Sequence, residues 1–215
     1  MPNPSIPIPT LQGRLVRIEP LSTQKHTRAL WDAIGKPERH DLWRHIPTGP
    51  FSTVESFTAF IDAKSMAADA RWFAIVSMAT GEPQGVTALM REDKTHRVIE
   101  VGGIILGSDL QRTVGATEAQ YLLARHVFET LKYRRYEWKC DNDNVASKRA
   151  AERLGFTFEG VFRQHMLVRG KNRDTAWFAM LDSEWLARKA AFEAWLAPEN
   201  FDADGRQRQK LATSN

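Results

Sequence analysis

The chain has 215 residues, 26% charged and 42% hydrophobic, with a net charge of +4, which suits one soluble globular domain with a single core rather than two domains or a disordered chain. The mild positive charge, carried in part by Arg206, Arg208 and Lys210, permits an anionic ligand without requiring nucleic acid. The lone Cys140 excludes an internal disulfide and a cysteine-based zinc cluster, and no run nears the ~18 apolar residues of a membrane span, so a soluble cytoplasmic protein is expected.

In chain order, residues 1 to 10 carry four prolines and read as an extended, poorly ordered arm. Gly13 to Leu21 alternates as a first strand, and Ser22 caps a helix that stops at Gly35 and Pro37. A loop rich in Trp, His and Pro leads to a second helix, opened by the capping box Ser52-Thr-Val-Glu55. Trp72 to Met78 and Val86 to Arg91 form a hairpin about the turn Thr80 to Gly85. Next comes the stretch Val98 to Thr117, an apolar strand, a short polar loop and the first turn of a helix.

Strand Arg134 to Cys140 precedes a helix from Asn144 to Leu154, with Gly155 at its C′ position. Strands Gly160 to Val168 and Thr175 to Leu181 are joined by the turn-rich Arg169 to Asp174. A last helix, Ser183 to Leu196, is followed from residue 198 by a polar tail with little to bury. The order βααβββαβαββα predicts a mixed α/β sheet, and residues 11 to 197 form its single domain.

The loop into the helix at Thr117 suits an anion, because unpaired amides and the positive end of the helix dipole meet there. Neither a Gly-x-x-x-x-Gly-Lys-[Ser/Thr] nor a helix-opening Gly-x-Gly-x-x-Gly is present. His40 and His45 lack a third ligand placed by sequence, so no metal is expected. Trp43 reads as core, with an acceptor groove as its alternative, and Trp185, Phe192 and Trp195 give the last helix an aromatic face to lay on its own sheet or on a homodimer partner's.

Two motifs in order, Gln111 to Ala119 and Asn144-Val-Ala-Ser147 through Leu154-Gly-Phe156, closely resemble the GNAT acetyltransferases, in particular the branch that acetylates ribosomal-protein N-termini. The resemblance runs from about Leu11 to Leu186. It implies a mostly antiparallel sheet of six to seven strands with helices on both faces, and acetyl-CoA as cosubstrate with no metal. The family's loop pattern is Gln/Arg-x-x-Gly-x-Gly/Ala, whose amides hold the pyrophosphate of coenzyme A, and here it is matched in part in two registers. Starting at Gln111 puts Val114 where a glycine belongs; starting at Arg112 restores Gly115 but ends at Thr117. The first register is preferred because it keeps the helix start in place, and the amides of Arg112, Thr113, Val114, Gly115, Ala116 and Thr117 are implied as the cradle.

By the same resemblance Ile104, Ile105 and Leu106 pair with the pantetheine arm, Asn144 bonds it, Ser147 serves the departing thiolate, and Arg149 joins the cofactor site. Ala151 stands where many relatives have a tyrosine. Glu100, eleven positions before Gln111, has a spacing similar to that of the strand-borne glutamate that serves several family members as general base, and the chemistry needs one, because an alkylammonium must lose a proton before it attacks. A salt-bridged structural role is its alternative, and His165 is the competing base. For Ser147 the alternative is a hydroxyl bonded back to the preceding turn.

The function implied is N-acetylation of a primary amine by direct attack. The acceptor is a protein N-terminus first, a small-molecule amine second. A sensor that binds acyl-CoA without turnover is the rival from another class, and nucleic-acid binding rests on the pI of 9.3 alone.

Overall fold

In a computed structural model describing residues 9–212, the strands are β1 (Leu11–Gln12), β2 (Val16–Pro20), β3 (Ala70–Ser77), β4 (Pro83–Asp93), β5 (Val98–Leu106), β6 (Arg135–Asp141), β7 (Thr157–Val168) and β8 (Lys171–Leu181). They form one sheet in the order β1-β2-β3-β4-β5-β6-β8-β7. Only the β5–β6 pair is parallel. The helices are α1 (Thr23–Leu30), α2 (Val54–Ser65), α3 (Val114–Arg125), α4 (Val145–Arg153) and α5 (Asp182–Leu196). The arm expected over residues 1 to 10 lies, but for its last two residues, outside the described residues.

The expected order of elements is present, with eight strands rather than six or seven. The additional strand is β1, which precedes the strand expected over Gly13 to Leu21 and turns back onto β2 at Gly13, whose N–H donates to the Val16 carbonyl at 2.9 Å. Two other boundaries differ for local reasons. The second helix is capped one residue later than expected, by Thr53, whose hydroxyl accepts from the Ser56 N–H while Ser56 answers back. Residues 169 to 174 are not a long loop: Arg169 and Gly170 both take positive φ, 52° and 74°, which makes a two-residue hairpin. β8 therefore begins at Lys171 and carries Arg173 on the strand, opposite Met166.

Both faces of the sheet are covered, and strand alternation divides the core. Phe73 and Ile75 of β3 join Ile99, Val101, Tyr136, Trp138 and Phe178 under α3, α4 and α5. Ala74 and Val76 pack with Leu30, Ile34, Trp43, Phe57 and Ile61 on the other face, under α1 and α2. Trp43 is fully buried there, its indole N–H donating to the Ile34 carbonyl at 2.7 Å, so its core reading holds. Trp185, Phe192 and Trp195 are buried against the chain's own sheet and helices. The aromatic face that prompted a homodimer is thus covered internally.

The segment after Pro198 departs from the polar tail expected. Asn200 is buried; its Nδ2 donates to the Trp195 and Gln209 carbonyls, and its Oδ1 accepts from the Gln209 N–H at 2.8 Å. Trp195 donates to Gln207, and Leu211 is buried in the core cluster. One buried leucine and several internal hydrogen bonds, at roughly 2 and 1 kcal/mol respectively, predict that deleting residues 199–215 lowers unfolding stability by about 2–4 kcal/mol. Urea denaturation of the shortened chain measures it, and an unchanged midpoint would show that the segment contributes nothing.

Two buried histidines make stability depend on pH. The His26 Nδ1 accepts from the Ser22 N–H at 3.0 Å, so its proton is on Nε2, facing Glu19. His126 is buried with its Nε2 unpartnered. Burial pushes both pKa values below the ordinary histidine range, with the charge of Arg71 adding to the effect at His126. The unfolded chain then binds protons more readily, so this contribution is complete above about pH 6.5 and is lost as pH falls through it. Denaturation midpoints at pH 5 and pH 7.5 should differ less in His126→Gln than in the parent; an equal difference would remove His126 from the account.

Candidate active site

β5 and β6 run side by side only from Val98 and Arg135 to Val101 and Trp138. Beyond that point β5 stays on β4 as far as Leu106, while β6 follows β8 to Asp141. The strands separate, and residues 102 to 106 face the gap along one edge without a strand partner. The split coincides with a bulge, since three steps of β5, Gly102 to Ile105, oppose two of β4, Ala88 to Val86. Gly103 takes φ 58° within it, and a Cβ there would lie 2.3 Å from the Trp72 ring.

A cavity of about 270 Å³ occupies the fork. Trp138 and Cys140 belong to the face under α3 to α5, whereas Glu100 and Lys139 alternate with them and sit on the other face. All four line the same cavity, with Asn144 and Ser147 at one side and His45, Thr48, Trp72 and His165 at the other. The site therefore gives access to one reaction point from both sides of the sheet.

Glu100 is 5% exposed. Its Oε2 lies 3.1 Å from Lys139 Nζ and 3.2 Å from Arg91 Nε. Neither contact is aligned as a hydrogen bond, so that oxygen has charge partners but no directional one. Lys139 is shared with Glu137 at 3.0 Å and rests 3.5 Å from the centre of the Trp177 ring. Burial pushes the Glu100 carboxyl above the usual carboxylate range, with Lys139 and Arg91 opposing that shift. A buried carboxylate so poised is suited to take and release a proton.

His165, on β7, has its Nδ1 3.0 Å from the Thr175 hydroxyl. Burial lowers its pKa, and Arg91, Arg173 and Lys139 add to the effect, so the ring is neutral near pH 7. The loop above the fork is held from two directions. The His45 Nδ1 lies 3.2 Å from Asp141 Oδ2, and one Arg169 nitrogen donates to the carbonyls of Ile46, at 2.9 Å, and Gly49, at 2.6 Å. His40 instead meets the Phe51 carbonyl. The two histidines do not converge, and among the described residues no group of three or more His, Cys, Asp or Glu could hold a metal.

On the α3 side, the loop after β5 is fastened by Gln111, whose Nε2 donates to the Leu106 carbonyl at 2.8 Å. Thr113 is the N-cap of α3; its hydroxyl accepts from the Ala116 N–H, which leaves the amides of Val114 and Gly115 at an open helix end. The left-handed position of this loop is Arg112, with φ 61°. Gly115 lies inside the first helical turn, where a Cβ would come within 3.1 Å of Val16, so that glycine serves the packing of α3 on β2. Glu118 fixes the same helix, accepting from the backbone N–H groups of Arg14, Leu15 and Val16.

Asn144 uses its side-chain oxygen to cap α4 through the Ser147 N–H, leaving its Nδ2 for another partner. The Ser147 hydroxyl faces the cavity and accepts from the Trp138 indole at 3.0 Å rather than bonding back along the helix. Burial pushes the Cys140 thiol pKa up, which makes it a poor nucleophile. Arg149 is exposed and lines a separate cavity of about 350 Å³ with Arg153 and Lys210. Arg153 links that cavity to α3, donating to the Thr117 hydroxyl at 3.0 Å.

The fork thus unites Glu100, His165, Ser147, Asn144 and Ile104, while Gln111 to Thr117 stand at the neighbouring helix end. Sequence reading missed Arg91, Lys139 and Arg173. Lys139 was accessible in principle, since Glu137, Lys139 and Asp141 alternate onto one strand face; its pairing with Glu100 needed the β5–β6 register.

A sheet opened between its parallel strands, with an ionisable pair on one face and helix N-termini on the other, is the layout of an acetyltransferase. Residues 16–157 match the family described as the acetyltransferase (GNAT) domain, and the chain belongs to that family. It is 48% identical to a GCN5-related N-acetyltransferase from Brucella melitensis, with a TM-score of 0.92 over 94% of this chain and 92% of that one. "Putative ribosomal N-acetyltransferase YdaF" of Bacillus subtilis (strain 168) is 29% identical over 105 residues, 49% of this chain and 57% of that protein. The fold is also that of RimL, a ribosomal L7/L12 alpha-N-protein acetyltransferase, at 18% identity and a TM-score of 0.69 over 80% of this chain and 94% of that one.

Proposed function

We propose that this protein is an acetyl-CoA-dependent N-acetyltransferase acting on a primary amine, foremost a protein N-terminus, with Glu100 as general base. The observation that carries it is the buried Glu100 at the point where the parallel strands part, reached from both faces of the sheet. GNAT domains use acetyl-CoA, and the residues here suit it. The free edge of β5 offers backbone groups of Ile104 to Leu106 to an extended arm, and the start of α3 offers amides to a diphosphate. When bound, acetyl-CoA supplies an acyl group activated as a thioester.

Glu100 then accepts the proton of the incoming ammonium, directly or through water. The cations Arg91, Lys139 and Arg173 help, because a positive surrounding disfavours the ammonium form. Ser147, whose hydroxyl accepts from Trp138 and faces the cavity, would donate its own proton to a departing thiolate. His165 is neutral near pH 7 and stands as the second acceptor of a proton. The same cations argue against polyamines and aminoglycosides, which bring several positive charges. The name of the relative, "Putative ribosomal N-acetyltransferase YdaF", favours a ribosomal acceptor over a small-molecule amine.

Thiol release from acetyl-CoA, measured against a panel of peptides and small amines, tests the reading. Turnover with peptide amines is expected. Tight coenzyme A binding with no turnover on any amine would make the protein a sensor instead.

A further inference from the structure

The cavity wall carries four cations, Lys64, Arg91, Lys139 and Arg173, against two carboxylates, Glu100 and Asp141. Both carboxylates are engaged, Glu100 by Arg91 and Lys139 and Asp141 by His45. Lys64 lies over the rings of Phe60 and Trp72. Arg173 differs from these: its Nε is buried with no hydrogen-bond partner, and among the described residues its guanidinium makes no ion pair within 4 Å. A guanidinium keeps its charge at any physiological pH, and a buried unmet donor is costly. The two-residue hairpin at Arg169 and Gly170 is what brings this side chain onto β8 and into the cavity rather than into a surface loop. Thr175, two residues on, holds His165 on the same side of the fork.

Resting on the acetyltransferase reading above, we propose that the acceptor is a primary amine that also bears a carboxylate, and that Arg173 receives that carboxylate while Glu100 takes the amine's proton. A planar guanidinium matches two carboxylate oxygens with paired N–H donors, and of the two arginines on the wall Arg91 already meets Glu100, whereas Arg173 has no ion pair among the described residues. One molecule then spans the site, with its amine directed to the fork and its acid group to β8. The carboxylate comes from an acidic residue next to a protein N-terminus or from a free amino acid, and the two sources separate by experiment.

Acetylation would be followed for matched peptides with Asp, Glu, Ala or Lys at the second position, and for aspartate and glutamate beside their side-chain amides. The parent protein should favour the acidic acceptor by roughly 10- to 100-fold in kcat/KM, the range of a charge-assisted hydrogen bond. In Arg173→Met that ratio should fall to about one with coenzyme A affinity unchanged, and Arg173→Glu should reverse it toward lysine. Preference confined to peptides assigns a protein N-terminus; preference extending to the free amino acids assigns the small acceptor. No acidic preference, or a preference that survives in Arg173→Met, overturns the proposal. Calorimetric binding of the acidic peptide to the parent and to Arg173→Met decides the matter without turnover. Loss of binding in the variant sustains the role of Arg173 even if the acetyltransferase reading fails, and equal binding overturns it.

Discussion

Glu100→Gln is expected to lower kcat/KM by about 10²–10⁴, the usual yield of a positioned base, with coenzyme A affinity unchanged. The substitution keeps the shape of the side chain and removes only its ability to take a proton. The pH profile supplies the second readout. Burial raises the pKa of Glu100, while burial and nearby cations lower that of His165, so the two shift toward each other from opposite ends of the mildly acidic window. Activity should rise as pH climbs through that window, because either base works only when unprotonated. The position of the acidic limb therefore does not assign the base, whereas its disappearance does. Loss of the limb in Glu100→Gln and its survival in His165→Gln assigns the carboxylate; the reverse assigns the imidazole. If Glu100 is instead a structural partner of Lys139 and Arg91, its replacement removes the carboxylate of Arg91 and leaves the nearly buried Lys139 with Glu137 as its one ion-pair partner among the described residues. Stability would then fall while the rate held.

Much of this site was legible because its parts are local in sequence. A strand, a capped loop and a helix start within twenty residues, and strand alternation places Glu100 opposite Ile99 and Val101. The Asn144 cap and the Gly155 stop are likewise signals of single turns. What escaped depends on contacts between distant segments. The pairing of Glu100 with Lys139 follows from the parallel β5–β6 register, and that with Arg91 from the antiparallel pairing of β4 with β5. Composition also misled in two places. Arg169 to Asp174 is rich in turn formers, yet only Arg169 and Gly170 turn, which hid Arg173 in an apparent loop. Residues 198–212 are polar, yet Asn200 and Leu211 suffice to fold them onto the core. In both cases a few residues override the average of the segment.

Gly103→Ala should be the most damaging small substitution in the chain. The position has φ 58°, and a left-handed conformation costs a residue with a Cβ about 1–2 kcal/mol. The added carbon would also lie 2.3 Å and 2.8 Å from two atoms of the Trp72 ring, an overlap whose relief costs about 1–3 kcal/mol more. Trp72 packs against Phe60 and lies beneath Lys64, so the ring can yield only toward the cavity that it lines. The backbone has one other escape, which is to remove the bulge. That shifts residues 104 to 106 by one position and turns Ile105 out of its core cluster. Either way the free edge of β5 no longer faces the fork as it does now. The expected result is a loss of about 2–5 kcal/mol of unfolding stability together with weakened coenzyme A binding. Gly102→Ala is the informative comparison, since that position lacks a positive φ and its nearest neighbour is the flexible Met90 thioether at 2.9 Å. It should cost less stability while crowding Glu100, whose Oε1 lies 3.2 Å from the new carbon. A Gly103→Ala protein that unfolds with the parent and binds coenzyme A as well would show that the bulge does not order the open edge.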